Sequence, residues 1–293
     1  MATQNMGTLF PKKAVEGLFN TVKGKSSLAK LSGSMPISFV GNDMFTFSMD
    51  SEVAIVGESG AYSHGGITVA PVTVKPIKVE YGARVSEEFM TASEEERLNL
   101  LVAYNEGFAK KLARGLDIIG MHGLNPRTST LAASSVPNYL DKQTTKKVTQ
   151  TSTRDPEGEV GAAIELLGDH DVTGLILSKT MAADFGKLRT SDGAKLYPEL
   201  MWGGQPNAVN GVPADVNSTV SVGTAKDAAF VGDFANYFKW GYAQDVTFEI
   251  IEYGDPDNTG VDLKGNGQIY LRSKCYIGMA IMDIDAFARV VTQ

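Results

Sequence analysis

The chain has 293 residues, 43% of them hydrophobic, enough for one large or two ordinary domains with a real core. Its single cysteine, Cys275, excludes an internal disulfide framework, no run reaches the roughly eighteen apolar residues of a membrane span, and residues 1–30 lack the apolar core of a secretory signal. A formal net charge of −7 argues against sequence-independent nucleic-acid binding, which depends on lysines and arginines neutralising phosphates, so a soluble protein made in a cytoplasm is expected.

Residues 1–33 carry Lys12, Lys13, Lys23, Lys25 and Lys30 against Glu16 alone, with scattered apolar anchors such as Phe10, Leu18 and Phe19. They read as a basic arm, with at most a short helix over 12–22, suited to lying across an acidic neighbouring copy. Residues 35–50 read as a strand. In Ser51–Gly82 the runs Val53–Val56, Ile67–Val69, Val72–Val74 and Ile77–Tyr81 are β-rich, and Gly57, Gly60, Gly65 and Gly66 fall between the first two. That pattern predicts a long two-stranded excursion with a glycine-rich tip. A lone hairpin is marginal in water, so this one is expected to find support on another subunit.

Thr91–Gly123 predicts one long helix, its core at 94–119. Ser93 and Glu96 form an S-x-x-E capping box, acidic Glu94–Glu96 sit at the positive end of the helix dipole, and Lys110, Lys111 and Arg114 lie toward the negative end. Leu98, Leu101, Val102, Phe108, Leu112, Leu116 and Ile119 give one apolar face, and Gly120 and Gly123 are plausible stops. At about 1.5 Å per residue the rod is about 39 Å long and needs a long sheet to lie on.

The polar stretch 124–159 reads as a strand or two and a loop ending at Asp155-Pro156. A short helix over 159–167, a buried strand at Gly174–Leu177, a helix over 180–188 and a strand at 228–233 then predict a compact α/β unit. The last third is β-dominated: a strand at Val246–Tyr253, a turn-rich loop 254–267, and a long strand at 268–283. In that strand Ile269, Leu271, Ser273, Cys275, Ile277, Met279 and Ile281 alternate with Tyr270, Arg272, Lys274 and Tyr276.

Motifs for chemistry fail on inspection. His64, His122 and His170 have no metal-like spacing, and Gly24-Lys25-Ser26 lacks the glycine five positions earlier that a phosphate-binding loop needs, Phe19 standing there. Asp255–Gly260 opens like a calcium loop, but Asn266 occupies the place of its bidentate glutamate, so a turn between strands is the better reading. No catalytic, cofactor-binding or metal residue is assigned. The sequence-level fold class is α+β.

The order of parts resembles the HK97-like major capsid protein family of tailed bacteriophages. The resemblance covers essentially the whole chain and rests on Leu175–Leu200 with its Leu188–Leu196 stretch, on Gly204-Gln205-Pro206, on Ala228–Ile250, and on Val56-Gly57-Glu58. Thr190 and Asn207 depart from the family pattern, where an aspartate and a valine are usual. The resemblance implies an N-terminal arm (1–33), a peripheral domain (34–50, 81–156 and the long hairpin 245–283), an extended loop (51–80), an axial domain (157–244), and a C-terminal segment (284–293) returning to it. It also implies pentamers and hexamers around double-stranded DNA that is enclosed without specific binding, with no membrane contact, no enzymatic activity and no cofactor. A separate scaffolding protein, a portal protein and a decoration protein are the expected partners, in a virion assembled in a bacterial cytoplasm.

Interface candidates are Lys12, Lys13, Lys23 and Lys25 on the arm, Glu58, Tyr62 and His64 on the excursion, Lys110 and Arg114 on the helix, and Asn258 in the last loop. Asn258 matches the asparagine that some members cross-link to an extended-loop lysine. No lysine occurs between Ser51 and Val74, so no covalent cross-linking is expected. An encapsulin-like compartment shell and an unrecognised α+β enzyme are the alternatives.

Overall fold

The computed structural model describes residues 22, 24–49, 51–88, 94–132, 135–223 and 225–293, with the backbone alone at 48, 94–100 and 244–246. Helix α1 (Ser27–Leu31) starts where the Ser26 hydroxyl accepts the Ala29 amide, a serine N-cap. Strand β1 (Gly33–Ser34) then pairs in parallel with the strand that begins at Phe238. The chain crosses a facing pair of glycines here: a Cβ at Gly241 would lie 1.8 Å from the Met35 carbonyl oxygen, and one at Gly278 would lie 2.8 Å from Ile37 Cδ1. Only glycine admits that approach.

Strand β2 (Asn42–Met49) and strand β3 (Ile67–Val74) form an antiparallel ladder of their own, Asn42 opposite Val74 and Met49 opposite Ile67. The expected strand at Val53–Val56 is absent: those residues are irregular, with Val53 and Ile55 fully exposed. The partner of β3 is β2, because Phe45, Phe47 and Met49 fall opposite Pro71, Val69 and Ile67, and cross-strand apolar pairs set the register. Strand β4 (Ile77–Ser86), also read as part of the excursion, belongs to the sheet of the last long strand.

Helix α2 (Glu94–His122) has 29 residues, about 44 Å at the usual rise. It ends at Gly123, whose positive φ of 63° makes a left-handed stop. Gly120, also read as a stop, lies inside the helix, where Leu28 and Met279 press against it. Phe108, Leu112, Leu116 and Ile119 are buried as expected, Leu101 is half-buried, and Val102 is 49% exposed against expectation. The capping box at Ser93 and Glu96, the Glu94–Glu96 side chains and Leu98 lie outside the described residues or side chains.

After α2 come helix α3 (Leu140–Gln143), strand β5 (Lys147–Thr149) and helix α4 (Pro156–Glu165). Asp155 caps α4, and Pro156 takes its first turn, where no amide donor is needed. Strand β6 (Gly174–Leu177), helix α5 (Lys179–Phe185), strands β7 (Ala208–Val209), β8 (Val212–Val216) and β9 (Asp227–Gly232), and helix α6 (Phe234–Tyr237) follow. Strand β10 (Phe238–Ile251) starts eight residues before the expected Val246. With β11 (Gln268–Ile281) it forms the long hairpin, and β12 (Phe287–Val291) ends the chain.

Two sheets result. The order β1-β10-β11-β4 carries α2, and β5-β12-β9-β6-β8-β7 carries α4 and α5. The predicted alternation in β11 holds from Gln268 to Ile277, with Ile269, Leu271, Ser273, Cys275 and Ile277 inward, and beyond it Gly278–Ile281 are buried at every position. Phe108, Leu112, Leu116 and Ile119 share one core with Phe238, Trp240, Cys275, Ile277 and Met279. Nearer the helix start, the Tyr104 hydroxyl donates to the carbonyls of Tyr81 (2.8 Å) and Leu271 (3.2 Å), joining helix to sheet.

Candidate assembly interface

The β2–β3 ladder alternates by strand geometry, so every second residue shares a face. One face gathers Phe45, Phe47, Met49, Ile67 and Val69, exposed by 68, 59, 70, 62 and 55%. A contiguous apolar face of this kind marks an interaction surface on a folded chain, whereas single exposed apolar residues do not. Beyond it, Tyr62 is 92% exposed, and Glu58 and His64 are exposed on the same excursion.

The 255–261 part of the loop between β10 and β11 is organised from one residue. The Arg84 guanidinium, on β4, donates to Asp255 (2.7 Å), to both carboxylate oxygens of Asp257, to Thr259 Oγ1 (2.6 Å) and to the Val261 carbonyl (3.0 Å). These bonds hold the Asp257 carboxyl down at about 2 and raise the Arg84 guanidinium. The aspartates that resembled a calcium loop therefore surround an internal cation. Asn258 sits at the loop's turn with φ of +55° and an exposed side chain.

Part of the basic arm is fastened to its own chain. Asp117 of α2 is wholly buried and accepts from the Ser26 hydroxyl (2.6 Å), the Ser27 and Leu28 amides (3.1 Å each) and the Asn217 side chain (2.8 Å). Burial pushes the Asp117 carboxyl up to about 7, against the lowering effect of those donors. Asp215 adds bonds from the Ser27 hydroxyl (2.5 Å) and Lys30 Nζ (3.0 Å). Lys25, just ahead of α1, is exposed; Lys12, Lys13 and Lys23 lie outside the described residues. On α2, Lys110 is exposed, while Arg114, expected to be free for neighbours, donates to Ser218 Oγ at 3.1 Å within the chain.

A buried polar cluster closes the far end of α2. His122 Nδ1 lies 2.5 Å from Asp141 Oδ2 and 3.8 Å from Asp227 Oδ2, while its Nε2 lies 2.8 Å from the Thr219 carbonyl oxygen. Three ligand-type atoms thus converge within 4.8 Å of one another, although the sequence offered no metal-like spacing. Arg289 reaches the same carboxylates at 3.2 Å (Asp141) and 3.0 Å (Asp227), so a fixed cation already compensates the charge there. No nucleophile paired with a base accompanies the cluster among the described residues, and Cys275 is buried, its thiol pushed up to about 12.

The sequence reading missed Arg84, Asp117 and the Phe45–Phe47–Met49 face. The last was legible: in Asn42–Met49 these three fall at i, i+2 and i+4. Arg84 and Asp117 find their partners 171 or more and 89 or more residues away along the chain, which no local pattern reports.

The fold is that of solved phage capsid structures. A structure from Mycobacterium phage Ogopogo superposes with a TM-score of 0.77 at 31% identity, with 92% of each chain covered. One from Gordonia phage Cozz gives 0.74 at 22% identity, covering 92% of this chain and 87% of the other. The capsid of a native GTA particle gives 0.66 at 15% identity, over 93% and 90%. The model of the phage capsid family matches residues 7–292, and the chain belongs to that family, the major capsid proteins of icosahedral phage shells. No curated protein matches it in sequence.

Proposed function

We propose that copies of this chain form the pentamers and hexamers of a shell around packaged double-stranded DNA, held together without covalent links. The observation that carries this reading is the apolar β2–β3 face, which the chain leaves uncovered and which a neighbouring copy would cover. We assign the peripheral domain to α2 with β1, β4, β10 and β11, the axial domain to the six-stranded sheet with α4 and α5, and the extended loop to 42–74. That loop is longer at its start than the 51–80 read from sequence, since β2 is one of its two strands. It contains no lysine, which supports a shell without isopeptide links to Asn258.

Glu58, Tyr62, His64, Lys110 and the arm lysines Lys12, Lys13, Lys23 and Lys25 are proposed contacts between copies. Separate scaffolding, portal and decoration proteins complete the proposed partners, with assembly in the host cytoplasm. The reading involves no catalytic step and no cofactor. Negative-stain microscopy of the chain produced with its scaffold tests it: closed shells are expected, and denaturing gels of those shells should show one band at subunit mass. A Phe45→Ser/Phe47→Ser variant should stay folded and form none. Shells from that variant, or a small discrete oligomer from the native chain, would overturn the reading.

A further inference from the structure

The cluster at the end of α2 is more than a set of ion pairs, because its hydrogen-bond geometry needs one proton that neutral histidine does not supply. Thr219 offers only a carbonyl oxygen to His122 Nε2, so that nitrogen must carry hydrogen and donate. On the other side of the ring, Nδ1 meets a carboxylate oxygen of Asp141 at 2.5 Å. With a neutral ring, a lone pair would face that oxygen at hydrogen-bond distance. A proton must therefore lie between them, and the simplest state is an imidazolium between two acceptors. Charge agrees: imidazolium and the Arg289 guanidinium balance the two carboxylates of Asp141 and Asp227. A divalent cation in place of the proton would leave the same four side chains with a net positive charge.

We propose that His122, Asp141, Asp227 and Arg289 form a proton-binding lock, which fastens the end of α2 to the six-stranded sheet while the proton is bound and loosens that junction when it leaves. The parts joined are distinct. His122 is the last residue of α2, Asp141 belongs to α3, Asp227 opens β9, Arg289 lies in β12, and Thr219 stands in the 3-10 turn Ser218–Ser221. The His122 side chain is 1% exposed and that of Asp227 2%, so water screens the repulsion that follows proton loss less than it would at the surface. One side opens to solvent through a cavity of about 630 Å³ lined by all four residues, which gives protons a route.

Other charged groups facing the cluster are Lys142 of α3, Lys147 of β5 and Lys226 just before β9, which also line that cavity. They favour loss of the proton and so set how far into the alkaline range the lock holds. Burial opposes the imidazolium, yet the hydrogen bond and charge of Asp141, with Thr219 and Asp227, outweigh it and raise His122 above its ordinary value. Burial, together with the neighbouring Asp141, pushes Asp227 up to about 7 despite Arg289 and His122. Both shifts have the same sign. A folded-state pKa raised above the unfolded one contributes stability present below the unfolded value and lost as pH rises through the folded one. The Asp227 share is therefore lost as pH rises from the ordinary carboxylate range through about 7, and the His122 share as pH rises from the ordinary imidazole range through that residue's raised value.

The proposal rests on the fold of one subunit and is independent of shell assembly. Nitrogen-15 NMR of the unassembled full-length chain, with its histidines labelled, reads it directly, His122 being assigned by the signal missing from His122→Gln or displaced in Asp141→Asn. Both ring nitrogens of His122 should be protonated at pH 7, and zinc should leave them unchanged. A neutral ring at pH 7, or zinc displacing the Nδ1 proton, would overturn the proposal. Denaturant unfolding between pH 6 and 9 gives the linked readout. His122 should contribute to the rise of the native unfolding constant about tenfold for each unit by which its folded pKa exceeds its unfolded one, and His122→Gln should lose that share. Asp117, also raised, keeps its own share in both proteins. Identical pH slopes in the two proteins would overturn the proposal as well.

Discussion

Replacing Phe108 by alanine tests which side of α2 faces the sheet. Phe108 is 2% exposed and shares a core with Leu112, Leu116, Trp240, Cys275 and Ile277, so truncation removes a ring from a packed site and leaves a cavity. Phenylalanine-to-alanine changes in such sites cost about 3–5 kcal/mol. Against a total of about 5–15 kcal/mol for a folded chain, that is a large fraction. Val102, six residues earlier and 49% exposed, was assigned to the same apolar stripe by periodicity. Val102→Ala should stay within about 0.5 kcal/mol, as surface substitutions do. Urea unfolding followed by circular dichroism gives both values, and the fluorescence of the buried Trp240 beside the helix supplies a second probe. A Phe108→Ala loss below about 1 kcal/mol, or a Val102→Ala loss equal to it, would refute the assigned face, since cavity formation could then not be the cause.

Two further outcomes follow from buried and clustered partners. Asp117→Ala deprives Ser26, Ser27 and Leu28 of their acceptor, and limited proteolysis should then cut ahead of α1 about tenfold faster, the change expected from losing about 1.4 kcal/mol of local hydrogen bonding; cleavage at the native rate would count against the anchor. Arg84→Gln should make the 252–267 loop sensitive to protease while leaving the urea midpoint in place, because the clamp is local and lies outside the hydrophobic cores. A shifted midpoint would mean that the loop supports the core.

Periodicity carried the sequence reading wherever one element dictates its own pattern. The first ten residues of β11, Gln268–Ile277, alternate inward and outward as written, and Gly174–Leu177, a continuous apolar run, is a strand buried at every position. It failed where a partner decides. Val53–Val56 has strand propensity but no facing strand, whereas Asn42–Met49 has one in β3, so the ladder formed there and the hairpin grew toward the N-terminus. Val102 matched the helical template, yet it is 49% exposed, and periodicity does not report where a covering surface ends. The His122 cluster draws its members from positions 122, 141, 227 and 289, and only the chain's return through β12 after the long hairpin brings the last of them beside the others.

The exposed hairpin face bears on how such a shell can form reversibly and still be strong. Phe45, Phe47, Met49, Ile67 and Val69 each leave between 55 and 70% of their surface open. Full burial of a large apolar side chain is worth about 1.5–3 kcal/mol, so covering the remainder of these five yields about 5–10 kcal/mol per hairpin. Bringing two proteins together costs about 4–15 kcal/mol in lost freedom. One hairpin docked on one neighbour is therefore close to balance, and an isolated pair of subunits has little to hold it. In a closed shell of the proposed kind each subunit would both give and receive such a contact, while the cost of fixing it in place is met once. A contact too weak for a dimer then suffices for a shell, and misplaced subunits can leave before closure. An apolar face large enough to fix a dimer would trap those errors, so the modest size of this ladder is itself suited to correctable assembly.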